Sequence, residues 1–522
     1  MDNGFASFNQ IRIPRMDMLM GFAQVSSSGV YTKQVGAEKI AYGIMLDVRA
    51  RICINSAYVL ARALTISIRY SCVRVQGFID NVGKSPVEYS VIEYPTQQRV
   101  LMPLLAMSYA LHFTGLDVKQ SYSKYVATGD STLLSELHAS SAGLKAYITT
   151  HVSEGMESCR KMCGGHGFLV NAGFADLYTS YLPFSTLEGT KEVLQQQMGR
   201  FLLKQYIAAI SSIKAKEKER TVLSSSTAYL ADLLLAKKKK VMDIKSLLVL
   251  VKSSFYGISD ADFGLIEEFL FHAHRVRAAW MISIAATAIH AATKEAKLVN
   301  KKVSFSSSSN SIASLPKLPT TLYSSLFRNR SARSPNVSMG GFESQSPQNG
   351  RIQTQMTTIQ DPLLLASVEL CEAAEAHSEL LILNSFSSGI RSQMEGSAES
   401  SSGNRGTSTY SNTGAVDLSI TESPLGDAEI QALRTMFVLL GINMMGSSSG
   451  QFLASGAIEV ADLPTIGTEY CHTFDTVHTV QLSTINTLQY STVHYITMIS
   501  LLNVLPGVVY SSLFFIINYF SF

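Results

Sequence analysis

From about Asn55 to Ile213, apolar residues recur at helical spacing, and this run most constrains what the chain can fold into. Leu60, Leu64, Ile68 and Cys72 form one stripe, and Leu144, Ile148, Val152, Met156, Cys159 and Cys163 form another. Stripes of this length predict a stack of long helices and a mostly α fold. The second stripe stops at Gly164-Gly165, where a glycine pair can supply a left-handed C-cap and allow another backbone or a ligand to approach. A third helix is predicted to start near Thr190, as N-cap, and to run through Val193, Leu194, Met198, Phe201 and Leu202. Hydrophobic residues make up 46% of the 522 and charged residues 16%, so the chain can bury large cores and any disorder must be local. The length suits about three domains.

Outside that run the organisation changes several times. The opening MDNGFASFNQIRIPR lacks the apolar centre of a secretory signal. It passes from the turn pair Asn3-Gly4 into a strand-like Ala6 to Ile13, which predicts a partner strand upstream and a truncated start. Lys237 to Lys240 read as a solvated helix end or linker. Helical pattern resumes over Leu265 to Lys297, gives way to serine-rich sequence from Ser304 to about Gln360, returns at Asp361 to Ile390, breaks over Ser392 to Ser423, and resumes from Asp427 to about Val460. The expected division is a β remnant at 1–35, a helical-bundle domain at 36–215, a second helical domain at 240–475 with insertions at about 303–360 and 391–424, and an uncharged apolar tail at 476–522. Within that tail, Tyr495 to Phe520 is long enough to cross roughly 30 Å of bilayer core. Pro506-Gly507, the Ser/Thr/Asn content and the lack of flanking Lys or Arg weigh against it, so membrane contact is not the favoured reading.

Charge and cysteine usage exclude further classes. Lys plus Arg number 43 against 40 Asp plus Glu, a net +3 that is too weak and dispersed for a nucleic-acid binder. Six cysteines without a C-x-x-C pair fit neither a disulfide scaffold nor a zinc ribbon, and point to a reducing compartment. Two stretches could carry chemistry. In Cys159-Arg-Lys-Met-Cys163-Gly164-Gly165-His166-Gly167-Phe168, three glycines close a helix and expose backbone N–H groups that could cradle a phosphate or let two helices cross. Cys159, Cys163 and His166 are close in sequence, but the glycine turn would swing the histidine away and no fourth ligand is in sight, so no metal is expected. In Phe184-Ser-Thr-Leu-Glu188-Gly189-Thr190, a carboxylate stands on a glycine-flanked loop before a helix. It could serve as a general base, or simply be the anion that a helix start favours, and spacing alone favours the second.

These stretches, taken in order, resemble the flavin-dependent acyl-CoA oxidases of peroxisomal fatty-acid β-oxidation, within the acyl-CoA dehydrogenase superfamily. The opening through Tyr31 is similar to the end of that family's β-domain. Ile68-Arg69-Tyr70-Ser71-Cys72-Val73-Arg74-Val75-Gln76 and Tyr94-Pro-Thr-Gln97-Gln98 resemble its helix motifs, and CRKMCGGHGF and TLEGTKEVLQQQMGRFLLK are the most specific matches, at the family's own separation. More loosely, CEAAEAHSELLILNSF and LRTMFVLLGINMMGSSSGQFLASGAI look like its C-terminal segments.

The resemblance implies a helical-bundle fold of acyl-CoA dehydrogenase type with a second C-terminal helical domain, FAD as cofactor, fatty acyl-CoA and molecular oxygen as substrates, hydrogen peroxide as product, a homodimer, and the peroxisome as location. It implies that Glu188 is the catalytic base. By the same resemblance Arg74 reaches the FAD pyrophosphate of the neighbouring subunit, Gly164 and Gly165 form the turn against which the cofactor lies, and Gln98, Gly189 and Thr190 belong to the cofactor contacts. The departures are specific. The family's N-terminal helical domain and most of its β-domain are not in the sequence. Pro95 stands where the pattern has a FAD-binding glutamine, Gly77-Phe78 reverses the usual order, and the chain ends Tyr-Phe-Ser-Phe rather than Ser-Lys-Leu. These departures keep open a rival from another class, a catalytically incomplete helical subunit or fragment that pairs with a full-length oxidase.

Overall fold

The structure, a computed structural model, describes residues 4–21, 23–33, 37–78, 88–214, 223–235, 258–306, 361–401 and 425–458. The tail at 476–522, Lys237 to Lys240 and most of the two serine-rich stretches lie outside them.

Three long helices carry the first half of the fold: α1 (Ala37–Val73), α2 (Pro95–Thr128) and α3 (Ser131–Met162). The stripes read from the sequence are their buried faces: Leu60, Leu64 and Ile68 of α1 pack with Leu101 and Leu105 of α2 and with Ile148, Val152 and Met156 of α3 in one core. Serine and threonine enter this core without orphaning their hydroxyls, because each donates back to a carbonyl of its own helix. Ser56 donates to Ile52, Ser71 to Ser67, Thr114 to Ala110 and Thr149 to Lys145, all at 2.7–2.8 Å. Pro95 is the first residue of α2, where its missing N–H costs no helical bond. α2 stops at Gly129, whose φ of 63° is the left-handed cap conformation, and the Asp130 side chain caps α3 by accepting from the Thr132 N–H at 2.8 Å. By length and apolar composition, Met45–Val73 and α2 could cross a membrane, but most of each apolar window is buried against other helices, as in core helices.

The β content is small. Strands β1 (Ala23–Val25) and β2 (Tyr31–Lys33) form an antiparallel hairpin with Gln24 opposite Thr32. The strand expected over Ala6 to Ile13 is not formed: no described segment pairs with it, and Phe5, Phe8, Ile11 and Ile13 are exposed. An apolar alternation makes a strand only where another strand accepts its hydrogen bonds. A second antiparallel pair, β3 (Val75–Phe78) with β4 (Glu88–Ser90), follows α1 and was not anticipated from the pattern.

After α3 the chain turns through Gly164–Phe168, makes the short α4 (Phe174–Tyr181), and enters α5 (Lys191–Lys214) and α6 (Tyr229–Leu235). The later helices are α7 (Asp260–Ser306), α8 (Ser367–Ser401), α9 (Asp427–Ser447) and α10 (Ser449–Ala454). The chain divides into two compact units. One comprises Met1–Ala286 with Ser367–Phe522, and the other comprises Thr287–Ala366. In the first unit, Phe386 of α8 stacks on Phe113 of α2 and meets Phe437 of α9 edge-on, so α8 and α9 complete the core that α1–α3 begin. α8 runs well past Ile390, where the apolar pattern fades, and Arg391 pairs with Glu267 of α7. In the second unit, the Asp361 side chain caps a one-turn helix, Pro362–Leu365.

Candidate active site

The residues singled out from the sequence fall into two clusters. The first is at the end of the bundle where α1 and α3 finish and α2 starts. α3 closes at Cys163, and Gly164 takes a φ of +56°, the left-handed value that a C-cap glycine supplies without strain. Gln97 ties this end together, donating from Nε2 both to Ser71 Oγ and to the Met162 carbonyl at 2.8 Å. Tyr70 Oη lies 3.0 Å from His166 Nδ1, fixing the glycine turn to the last turn of α1, four residues before Arg74. His166 therefore faces Tyr70, while burial pushes the Cys159 and Cys163 thiols up to about 12 and about 11. Arg74 is exposed, with its backbone pinned between Tyr70 and Val91 at 2.8 Å. Gln98 is buried beside Gln97.

The glycines of this turn are not equivalent. A Cβ at Gly167 would collide with the Arg160 carbonyl oxygen, so internal packing demands that glycine. Gly165 has nothing within 4 Å of a Cβ and no left-handed φ, so nothing inside the described chain requires it. It is exposed, beside Phe168, Leu169 and Val170, which are 84%, 55% and 75% exposed. A glycine left open next to exposed apolar side chains leaves room for another group to approach closely.

The second cluster surrounds the turn before α5. Glu188 has a φ of +60°, unusual for a residue with a side chain, and Gly189 follows at +116°. A Cβ at Gly189 would stand 2.8 Å from Leu194 Cδ2, so this glycine is required by both its φ and its space. Gly189→Ala is expected to destabilise the protein by about 1–3 kcal/mol, read as a lowered midpoint in urea unfolding. Thr190 is exposed and its carbonyl accepts from the Leu194 N–H at 3.1 Å, which makes it the residue from which α5 starts.

Beneath this turn lie two cations that sequence reasoning missed. Arg49 of α1, 3% exposed, donates from Nη2 to the Glu188 carbonyl at 3.3 Å. Lys145 of α3, 0% exposed, donates from Nζ to the Gly189 carbonyl at 2.7 Å. Burial pulls the Lys145 ammonium down to about 8, with Arg49 adding to the fall, and lowers the Arg49 guanidinium as well. Burial likewise pushes the neighbouring Cys53 thiol up to about 12, so it stays protonated. A signal for Lys145 was present: it is the one charged residue in Ser141-Ala-Gly-Leu-Lys-Ala-Tyr-Ile148, where every other residue is small or apolar. The two clusters are well separated, since Lys145 and Met162 are about 25 Å apart along α3.

Residues 42–203, which contain both clusters, match the acyl-CoA oxidase C-alpha1 domain. Over this stretch the chain carries an acyl-CoA oxidase C-alpha1 domain. Among curated relatives, peroxisomal acyl-coenzyme A oxidase 1 of Rattus norvegicus is 42% identical over 209 residues, and that of Arabidopsis thaliana is 44% identical over 207. These matches cover 40% and 39% of this chain and 31% of each relative, so the aligned part spans about a third of the length of the curated oxidases. The solved acyl-CoA oxidase 1 of Arabidopsis thaliana is similar with a TM-score of 0.61 at 25% identity, over 90% of this chain and 54% of that one. Acyl-CoA oxidase-2 of Caenorhabditis elegans, solved bound with FAD, ascaroside-CoA and ATP, shares the fold at a TM-score of 0.59 and 22% identity, over 93% of this chain and 54% of its own. The oxidase helical fold is thus present in this chain.

Proposed function

We propose that this chain acts in the FAD-dependent oxidation of fatty acyl-CoA thioesters to trans-2-enoyl-CoA, with molecular oxygen reduced to hydrogen peroxide, as a homodimer in the peroxisome. The observation that carries this reading is Glu188. A carboxylate on a left-handed turn, anchored by two buried cations inside an acyl-CoA oxidase domain, is a fixed proton acceptor rather than a routine helix-start anion.

The chain's own residues divide the work. The Glu188 carboxylate takes the proton from the carbon next to the thioester carbonyl, and the turn fixes where that carboxylate stands. The chemistry FAD supplies when bound is acceptance of the β-hydrogen as hydride and delivery of the electrons to oxygen. The first cluster fits such a cofactor. Arg74 offers an exposed forked guanidinium to a pyrophosphate, Gly164 and Gly165 offer uncovered backbone, and Gln98 stands at the start of α2. Gly189 and Thr190 offer main-chain contacts beside the base. The separation of about 25 Å suits a homodimer in which Glu188 serves the flavin of its own subunit and Arg74 with the glycine turn serves that of its neighbour.

The glycine turn provides the test. Gly165→Ala is expected to leave the thermal midpoint unchanged while weakening FAD binding about tenfold or more, read by flavin fluorescence titration, because its Cβ fills open space that the cofactor would occupy. Gly167→Ala is expected to lower the midpoint, because its Cβ meets the Arg160 carbonyl. Equal FAD affinity in Gly165→Ala and wild type would remove the turn from the cofactor site.

A further inference from the structure

The two buried cations need an explanation that packing does not provide. Moving an ammonium or a guanidinium out of water is costly, and an apolar side chain of the same volume would fill either position more cheaply. Neither Arg49 nor Lys145 has an ion pair among the described residues; each spends its charge on one main-chain carbonyl. Those carbonyls belong to consecutive residues, Glu188 and Gly189, and both residues are in the left-handed half of backbone space. A non-glycine residue at φ +60° persists only where its surroundings over-determine it. The cations come from different helices, α1 and α3, so they fix the turn relative to the bundle rather than to its own segment. Arg49 also keeps Nε and Nη1 buried and without hydrogen-bond partners among the described residues, so its fork has donors in reserve.

We propose that Arg49 and Lys145 are positioning residues for Glu188: they clamp the carbonyl oxygens of 188 and 189 and hold the strained turn that presents the base. The functional meaning of the clamp rests on Glu188 being that base, whereas the clamp itself is a property of this chain and can be tested without turnover. A purely structural role would stabilise the whole bundle. A positioning role acts on the turn, depends on a donor at each position, and is restored by a shorter donor of the same charge.

The test is amide hydrogen exchange of peptides covering residues 182–194, with the Glu188 side-chain carboxyl followed by carbon NMR and assigned by its loss in Glu188→Gln. Lys145→Met and Arg49→Met should speed exchange in this segment about tenfold or more and move the Glu188 carboxyl resonance, while protection in the centres of α1 and α2 stays as in wild type. Arg49→Lys should return both readouts toward wild type. If Lys145→Met fails to fold, Lys145→Gln is read in the same way, with faster exchange expected at 182–194. Wild-type exchange and an unmoved resonance in the folded variants would overturn the clamp, as would protection lost evenly through α1, α2 and the turn. Glu188→Gln separates the two readings: if it turns acyl-CoA over as wild type does, Glu188 is not the base, and the exchange result still stands or falls alone.

Discussion

Replacing Glu188 by glutamine is expected to slow acyl-CoA-dependent peroxide release by about 10²–10⁴-fold, the usual contribution of a positioned general base. The glutamine has the same shape and reach, so the turn, its φ of +60° and the carbonyls held by Arg49 and Lys145 should survive. What is lost is the lone pair that takes the α-proton. Flavin content and thermal midpoint should therefore match wild type. Loss of turnover accompanied by loss of flavin or of fold would instead mean that Glu188 supports the structure. Turnover within a few-fold of wild type would place the base elsewhere.

Arg277→Leu is expected to produce the largest stability loss, about 3–5 kcal/mol, because it strands a buried carboxylate. Arg277 of α7 and Glu379 of α8 are 2% and 4% exposed and form an ion pair inside the bundle. The guanidinium also donates to Gln451 Oε1 at 2.8 Å and to Ser448 Oγ at 3.1 Å, and lies over the Phe452 ring. One side chain thus ties α7, α8 and the chain around α10, across two long stretches of intervening sequence. Without it, Glu379 keeps, among the described residues, only the Tyr147 hydroxyl at 3.5 Å. The double variant Arg277→Leu with Glu379→Leu should recover much of the loss, since replacing both partners by apolar groups removes the stranded charge.

The same pair gives a pH dependence with a definite sign. Burial pushes the Glu379 carboxyl up to about 7, although Arg277 opposes the shift. Between the ordinary value of 4.5 and that raised value the folded protein binds more protons at this site than the unfolded chain. Glu379 therefore costs stability as pH rises through this window, and the cost levels off above it. The thermal midpoint of wild type, measured against Glu379→Gln, should fall between about pH 5 and about pH 7 and then run level. A difference that is flat with pH would show that Glu379 stays ionised throughout.

Much of the fold was legible because helices that bury one face must repeat their apolar residues. Leu60, Leu64 and Ile68, and Leu144 through Cys159, mark α1 and α3 directly, and Gly164 marks where α3 stops. Features that depend on distant partners were not legible. β3 and β4 are too short to carry a pattern, and Ala6 to Ile13 carries a strand pattern without a partner among the described residues. α8 continues to Ser401 through a serine- and glycine-containing sequence that carries no apolar repeat. In the site, the flanking glycine made Glu188 visible, whereas Arg49 reads like its exposed neighbour Arg51, which pairs with Asp47 on the surface. Only the fold shows that one of these two arginines points inward to a carbonyl 139 positions away.

The most direct test of the central claim is to purify the 522-residue chain with FAD and add a fatty acyl-CoA first without oxygen and then with it. The yellow flavin absorbance should bleach with the acyl-CoA, return on admitting oxygen with release of hydrogen peroxide, and do neither in Glu188→Gln. A chain that holds no flavin, or holds it and stays yellow when acyl-CoA is added, would contradict it.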